Sequence, residues 1–184
     1  MDDKKITGIP GEYEAIREAT VELQFNMASD LYTGSLLKTL AASKPSGRFL
    51  ELGAGTGLAT AWIVSGMDEK SSLIAIENNE ILIGVANKNI VDSRVEFILT
   101  DAYEWIRHYK GEKFDFIFAG PPYALATIDK LPEIIVERKL IAEEGYFVLE
   151  HTPRNDYEKY DGFSFKRNYG TTVFSFFAPT PKGE

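Results

Sequence analysis

Hydrophobic residues near the start of the chain recur at the spacing of a helix. In "YEAIREATVELQF", Ile16, Ala19 and Leu23 fall on one helical face, and "SLLKTLAAS" keeps the same character until Pro45 and Gly47 interrupt it. The chain is therefore predicted to be mainly helical up to this break.

Beyond the break, short runs rich in β-branched and aromatic residues alternate with longer helical runs. The pattern predicts strands at 48–53, 72–77, 94–99, 114–119 and 145–150, and helices at 58–66, 78–90, 102–109 and 128–141. The tail predicts two more strands joined around Asn168, Tyr169 and Gly170. Strands that alternate with helices imply an α/β fold, with a parallel sheet covered on both faces and the terminal hairpin as an antiparallel edge.

In a parallel sheet of this kind, ligands bind beyond the carboxyl ends of the strands. The loops that follow Leu52, Ile76, Leu99 and Phe118 are therefore the candidate site. Each of these loops carries residues suited to binding or chemistry.

Composition sets the broad class. The chain has 184 residues, 44% of them hydrophobic, which suits one globular domain. The absence of cysteine excludes disulfides, thiolate metal sites and a cysteine nucleophile, and we predict no metal site. No apolar run resembles a signal peptide or reaches the length of a membrane span, so we expect a cytoplasmic protein with no membrane partner.

Charge argues against tight, unaided binding of nucleic acid. The formal net charge is −8, whereas nucleic-acid binders usually present a basic field. Only the tail is mildly basic, with Arg154, Lys159, Lys166 and Arg167. The balance suits a small-molecule site, or a nucleic-acid substrate that is held by local contacts.

The first loop, "ELGAGTG" at 51–57, is rich in glycine. Gly53, Gly55 and Gly57 follow a predicted strand and open a helix, where the absence of a β-carbon permits a tight turn and the close approach of a ligand. Leu58 occupies the sixth position, where the dinucleotide fingerprint has glycine or alanine. A purely structural glycine turn is the alternative.

Acidic residues end the next two strands. Glu77 comes about twenty positions after the glycines, where a carboxylate can accept both hydroxyls of a ribose, although it could also be an ordinary polar residue at a strand end. Asp101 follows the third strand and is a candidate N-cap for the helix that begins at Ala102.

The fourth strand ends abruptly in "GPPY", residues 120–123. Two prolines stop a strand and stiffen the chain, with Tyr123 following directly. Without the other loops, a simple strand terminator is an equally good interpretation.

These loops together resemble those of class I S-adenosylmethionine-dependent methyltransferases, over nearly the whole chain. The resemblance implies a Rossmann-like fold with a seven-stranded, mostly parallel sheet and S-adenosyl-L-methionine as cofactor. It assigns the cofactor to Glu51, Gly53, Ala54, Gly55, Gly57, Glu77, Asn78, Asp101 and Ala102, with Asp101 receiving the adenine amino group. It also implies that Thr33 and Gly34 cover the methionine end of the cofactor, the alternative being a break between helices.

The "GPPY" stretch resembles the motif of amino-methyltransferases that act on nucleobases. In that motif an acidic or amide residue, two prolines and an aromatic residue hold the amine for in-line attack on the methyl group. The resemblance assigns catalysis to Gly120, Pro121, Pro122 and Tyr123. Gly120 departs from the pattern, because it removes the side-chain acceptor and leaves the Pro121 carbonyl.

The resemblance has two sources. Residues up to about 106 resemble small bacterial O-methyltransferase-like proteins, and residues 113–177 resemble bacterial 16S ribosomal RNA guanine-N2-methyltransferases. Both groups have aspartate at the position of Gly120, and the Arg-rich opening segment of the RNA enzymes is not found. The chain is either a divergent enzyme or a recombinant of two related domains joined near 109–116.

The resemblance also divides the single domain, residues 1–184, into three parts. These are a helical N-terminal cap at 1–45, a cofactor-binding half at 46–110 and a substrate-side half at 111–184.

Three functions remain open from the sequence. The first is methylation of a nucleobase amino group in RNA. The second is methylation of a hydroxyl on a small molecule, for which His108 and His151 are the only histidines that could act as a base. The third is a cofactor-binding protein with weak or no activity, because Gly120 lacks the acceptor.

Overall fold

A computed structural model describes residues 6–122 and 125–179. Its strands are β1 (Arg48–Leu52), β2 (Ser72–Glu77), β3 (Val95–Leu99), β4 (Phe114–Ala119), β5 (Ile141–His151), β6 (Phe163–Tyr169) and β7 (Thr172–Phe177). They form one seven-stranded sheet in the order β3-β2-β1-β4-β5-β7-β6. The first five strands in that order are parallel, and β7 is antiparallel to both of its neighbours.

Helices cover both faces of the sheet. They are α1 (Tyr13–Glu22), α2 (Leu31–Ala42), α3 (Leu58–Gly66), α4 (Glu80–Asn89), α5 (Ala102–His108) and α6 (Lys130–Glu137). The first three pack on one face, α5 and α6 pack on the other, and α4 lies against α1 and β3. Across the described ranges, no helix combines the length and apolar character needed to cross a membrane.

Alternation along the central strands builds the two hydrophobic layers. Successive side chains of a strand point to opposite faces, so Phe49 and Phe116 enter the layer under α1–α3, whereas Leu50 and Ile117 enter the layer under α5 and α6. All four side chains are at most 1% exposed. The predicted Rossmann-like α/β fold with a terminal antiparallel hairpin is confirmed.

Two predictions about the N-terminal helices are wrong. The first helix ends at Glu22 instead of running through Phe25, because the chain turns at Gln24 with a φ of 54°. The second helix runs through Thr33 and Gly34, so the alternative of a break between helices at this pair is wrong. A β-carbon on Gly34 would lie 2.3 Å from the Trp62 ring, so this glycine lets α2 pack closely on α3.

The boundary between α6 and β5 also differs from the prediction. The helix ends at Glu137 instead of residue 141, and Lys139 takes a φ of 54°. The strand begins at Ile141 instead of Gly145, and its register with β4 shifts between Phe114 and Phe116. The apolar run that suggested a longer helix in fact supplies the start of the strand.

Candidate active site

A cavity of about 580 Å³ lies at the carboxyl ends of β1, β2, β3 and β4. This edge is where the strand order predicts a ligand, and the volume is in the range of small-molecule sites. Five segments supply most of the lining, namely 23–29, 52–56, 76–79, 100–103 and 120–122.

The glycine-rich turn after β1 lies on the cavity wall. Gly53 and Gly55 have φ angles of 87° and 56°, a region that side chains rarely adopt. The N–H groups of Gly53 and Ala54 both donate to the Ile76 carbonyl, at 2.8 and 2.9 Å, which fixes the turn against β2. A β-carbon on Gly53 would meet nothing within 4 Å, so the backbone there faces open space that a ligand can approach.

Gly57 has a different position. Its φ of 96° is also left-handed, but it is not part of the cavity lining. A β-carbon there would lie 2.9 Å from the β-carbon of Ala86. The structure thus gives Gly57 a role in packing α3 against α4, and its predicted contact with the cofactor stays a prediction.

Glu77 ends β2 and is held by backbone amides. Its Oε2 accepts from the N–H of Gly55 at 2.8 Å, and its Oε1 accepts from the N–H groups of Asn78 and Asn79 at 3.0 and 2.9 Å. Glu77 as a whole is 9% exposed and lies on the cavity wall. It therefore ties the glycine turn to the start of α4 in an orientation suited to receiving hydroxyl groups from the cavity.

The loop after β3 places Asp101 and Ala102 on the same wall of the cavity. Asp101 is the N-cap of α5, because its Oδ1 accepts from the Glu104 N–H at 2.9 Å. Asn78, the third predicted residue on this side, also lines the cavity. The capping role of Asp101 is confirmed, and its predicted contact with adenine stays a prediction.

Glu51 lies behind the turn and outside the cavity lining. It is fully buried; its Oε2 accepts from the Thr60 hydroxyl at 2.6 Å, and its Oε1 has no hydrogen-bond partner among the described residues. Burial raises the pKa of this carboxyl group to about 8, and the nearby Glu77 charge adds to the effect. A positively charged ligand in the cavity would favour the ionised form.

The structure does not bring Thr33 and Gly34 to the cavity. The Thr33 N–H is bonded to Asp30, and Thr33 lines a separate cavity of about 340 Å³ between α2 and the terminal hairpin. The segment 23–29 covers the glycine turn instead, and a β-carbon on Gly55 would lie 3.0 Å from the Phe25 ring. This segment contains no glycine or proline, so no local pattern pointed to its role.

The exit from β4 forms the far end of the cavity. Gly120, Pro121 and Pro122 line it, and the Leu125 N–H donates to the Pro122 carbonyl at 2.9 Å, which closes a tight turn. The backbone of Gly120 is outside the left-handed region, so its φ does not require glycine. Tyr123 lies outside the described residues, and its predicted role stays a prediction.

Neither histidine lines the cavity. His151 is 1% exposed; its Nε2 lies 2.7 Å from the Ser175 hydroxyl, and its Nδ1 lies 2.8 Å from the Thr152 carbonyl. Burial also lowers its pKa. His108 lies on the exposed side of α5, with Nδ1 at 2.8 Å from the Glu104 carbonyl. Neither of the two histidines that could act as a base for a small-molecule acceptor is therefore placed to do so in this cavity.

The strand order, the glycine turn and the cavity at the strand ends define the class I methyltransferase fold. More particularly, the chain belongs to the family described as conserved hypothetical protein 95, whose model matches residues 28–178. The match covers both sides of the suggested junction at 109–116, so both halves belong to this one family.

Curated relatives and solved structures agree with this assignment. The tRNA1(Val) (adenine(37)-N6)-methyltransferase of Haemophilus influenzae is 33% identical over 94 residues, which are 49% of this chain and 40% of that protein. The ribosomal RNA small subunit methyltransferase D of Buchnera aphidicola is 26% identical over 63% of this chain and 61% of its own length. The chain thus matches less than two thirds of the length of either relative.

An O-methyltransferase from Bacillus cereus, solved in complex with SAH, superposes with a TM-score of 0.77. The two chains are 16% identical, and the match covers 94% of this chain and 93% of the other. At this level of identity the likeness concerns the fold alone.

Proposed function

We propose that this chain transfers a methyl group from S-adenosyl-L-methionine to an exocyclic amino group of a nucleobase in RNA. The observation that carries the proposal is a single cavity, lined at one end by the glycine turn, Glu77 and Asp101, and at the other by Gly120 and the two prolines. Such an arrangement gives a nucleoside-containing cofactor and an acceptor base adjacent places.

The residues of the cavity fit the cofactor. Open space beside Gly53 admits a ligand close to the backbone, Glu77 presents a carboxylate for ribose hydroxyls, and Asp101 lies where it can receive an amino group. The buried Glu51, with its unpartnered Oε1, adds a carboxyl group that a nearby cation would ionise. The region 46–110 is on this proposal the cofactor-binding half, and 111–184 the substrate side.

Bound S-adenosylmethionine supplies an electrophilic methyl group on a sulfonium. The chain contributes orientation: Glu77 fixes the turn under the cofactor, and the Leu125 bond to Pro122 stiffens the acceptor end. Phe118 and Leu125 line the same end with apolar side chains. An exocyclic amine is a weak nucleophile because its lone pair is delocalised, so alignment is the main help that the protein can give.

The names of the relatives support RNA as the acceptor, since they are methyltransferases of transfer and ribosomal RNA. The mildly basic tail offers limited extra attraction, because the whole chain carries a net charge of −8 and one of the four basic residues, Lys166, is paired with Glu158 at 2.8 Å and with Asp156 at 3.7 Å. The RNA is therefore held through local contacts at the cavity mouth rather than by a broad basic surface.

Two measurements test the proposal. Titration calorimetry with S-adenosylmethionine and S-adenosylhomocysteine should show that each binds at one site. Transfer of a radiolabelled methyl group should then occur to RNA fragments that contain unmodified adenine or guanine, and not to small hydroxylated acceptors. Labelling of the small acceptors alone would point to an O-methyltransferase, and binding without any transfer would leave only a cofactor-binding protein.

A further inference from the structure

The second cavity, of about 340 Å³, lies between the first turns of α2 and the turn that joins β6 to β7. Tyr32 lines it from α2, and Tyr169 lines it from the end of β6. These side chains are 58% and 52% exposed, and neither phenol hydroxyl has a hydrogen-bond partner among the described residues. Single exposed aromatic residues are common, but two that line one cavity indicate a binding surface.

This cavity lies at the same edge of the sheet as the candidate active site. The start of β7 pairs with the end of β5, His151 with Val173, so the turn between β6 and β7 is at the carboxyl ends of the parallel strands. Only β5 separates β4, where the acceptor end lies, from β7. Two strand spacings amount to about 10 Å, a distance that a few nucleotides span.

The two cavities are also adjacent along the chain. The segment 23–29 lines the larger cavity, and Asp30, Tyr32 and Thr33 continue directly into the lining of the second. A polymer with one unit in the larger cavity can therefore reach the second one across this segment.

The lining of the second cavity suits a base better than a phosphate. Asp30 is its acidic member, with Oδ1 accepting from the Thr33 N–H at 2.8 Å, and a carboxylate there repels a phosphate. Aromatic rings, in contrast, stack on the face of any nucleobase. The cavity therefore offers a place for a base whose phosphate stays outside.

Arg167 is placed to meet that phosphate. It does not line the cavity, but it lies two positions before Tyr169 and so projects from the same face of β6. The side chain is exposed and forms no ion pair within the described ranges. Its guanidinium lies 4.7 Å from the Phe165 ring and gives one N–H to the Lys166 carbonyl, which leaves further N–H groups for a ligand.

We propose that the second cavity binds a nucleobase of the RNA strand close to the nucleotide that is methylated. The base stacks against Tyr32 and Tyr169, and Arg167 contacts a phosphate beside it. This inference rests on the proposed methylation of RNA. Stacking requires no particular base, so this site adds affinity for single-stranded RNA while the larger cavity selects the target base. It gives an acidic chain a means of holding RNA by local contacts.

The experiment measures how a short fluorescein-labelled single-stranded RNA of mixed sequence binds to protein saturated with S-adenosylhomocysteine, by fluorescence anisotropy. Tyr32→Ala and Tyr169→Ala each remove one ring, Tyr169→Phe keeps the ring, and Arg167→Ala removes the cation. The control is Val91→Ala, which truncates a 92% exposed apolar side chain at the opposite edge of the sheet. Thermal melts confirm folding, and calorimetry with S-adenosylhomocysteine confirms the cofactor site.

We expect each tyrosine-to-alanine change to weaken RNA affinity by about fivefold to 100-fold, as does the loss of one base–aromatic stack elsewhere. Tyr169→Phe and Val91→Ala should stay within about twofold of the wild type. Arg167→Ala should reduce the slope of log affinity against log salt by about 0.7, the value for one phosphate of a single strand. In methyl transfer, the KM for RNA should rise while kcat stays unchanged, because these contacts are the same in the ground and transition states.

Folded tyrosine variants that bind RNA as tightly as the wild type would overturn the second site and leave the proposed function in place. A wild-type dimer that these variants convert to monomers, with unchanged RNA affinity, would assign the cavity to contact between two copies instead. A wild type that binds the cofactor but neither binds nor methylates RNA would overturn the proposed function, and this site with it. If one alanine variant does not fold, the other carries the comparison.

Discussion

The two ends of the cavity are built in different ways. At the cofactor end, each polar group belongs to a short stretch around one strand, and the stretches bond to each other: Gly55 to Glu77, and Gly53 to Ile76. At the acceptor end, the strand finishes in a glycine and two prolines, and the one described hydrogen bond of this turn joins Leu125 to Pro122.

The two ends should therefore respond differently to mutation. A dense set of backbone bonds holds the cofactor end in one shape, so most changes there disturb the fold as well as binding. The acceptor end is held by fewer described backbone bonds. A change there can alter chemistry while the fold remains intact, and the predictions below test this contrast.

The largest contrast is expected between two glycine-to-alanine changes. Gly57→Ala forces a side chain into a left-handed φ and to within 2.9 Å of Ala86, which should lower the free energy of unfolding by roughly 4 kcal/mol. In Gly120→Ala the new β-carbon meets looser contacts, the nearest at 3.2 Å, and the φ angle is not strained. Alanine also restricts the unfolded chain, which offsets part of the cost of these contacts. The free energy of unfolding should therefore change by no more than about 1 kcal/mol.

Urea unfolding at one protein concentration measures both changes. Equal losses for the two variants would contradict the proposed difference between the turn after β1, which ends at Gly57, and the turn after β4. A loss at Gly120 larger than at Gly57 would show that the turn after β4 is the more tightly packed of the two.

Local sequence patterns predicted which loops line the cofactor end of the cavity, namely those after β1, β2 and β3. Its glycines, Glu77 and Asp101 each follow a strand directly, so a local pattern places them at the correct edge of the sheet. The core alternation of the central strands is equally local, and α3, β2 and β4 begin and end where the pattern predicted.

The remaining features depend on tertiary contacts that no local pattern records. Phe25 was assigned to a helix on its spacing, but the turn at Gln24 sends it over the glycine loop. Gly34 suggested a break because its partner, Trp62, is distant in sequence. Tyr32 and Tyr169 carried no motif, and only the fold brings them to one cavity.

The second-largest expected effect is on the pH dependence of stability, and it comes from the buried carboxyl group of Glu51. Its pKa of about 8 in the folded chain lies above its ordinary value of 4.5, so the folded state retains a proton that the unfolded state releases. Stability should therefore fall as pH rises through this interval and level off above it. Glu51→Gln removes the titration, and its advantage over the wild type should grow by roughly 3 kcal/mol between about pH 5 and pH 9.

Denaturant unfolding across that pH range measures the effect, with Glu96→Gln, an exposed glutamate on β3, as the control. A constant difference between Glu51→Gln and the wild type at all pH values would mean that the group is ionised in the folded chain. Saturating S-adenosylmethionine should reduce the slope in the wild type, because its positive charge favours the ionised carboxylate.

The third effect is on cofactor affinity. Glu77→Ala removes a carboxylate that accepts three backbone N–H groups, and leaves those groups and the ribose hydroxyls without a partner. Affinity for S-adenosylhomocysteine should weaken by roughly 1–3 kcal/mol. Calorimetry would measure this beside Glu96→Ala, which should bind like the wild type, and unchanged affinity for Glu77→Ala would remove Glu77 from the site.

The smallest effect separates the two roles of Asp101, which caps α5 through Oδ1 and also lines the cavity. Asp101→Ser keeps a good N-cap but has a shorter side chain, so stability should stay within about 0.5 kcal/mol while cofactor affinity falls by about threefold to tenfold. Asp101→Ala loses the cap as well, and should lower the free energy of unfolding by about 1 kcal/mol with the same loss of affinity. Thermal melts and calorimetry on both variants give the comparison. If Asp101→Ser binds S-adenosylhomocysteine as tightly as the wild type does, Asp101 serves α5 alone, and the contacts to the cofactor at this end come from the glycine turn and Glu77.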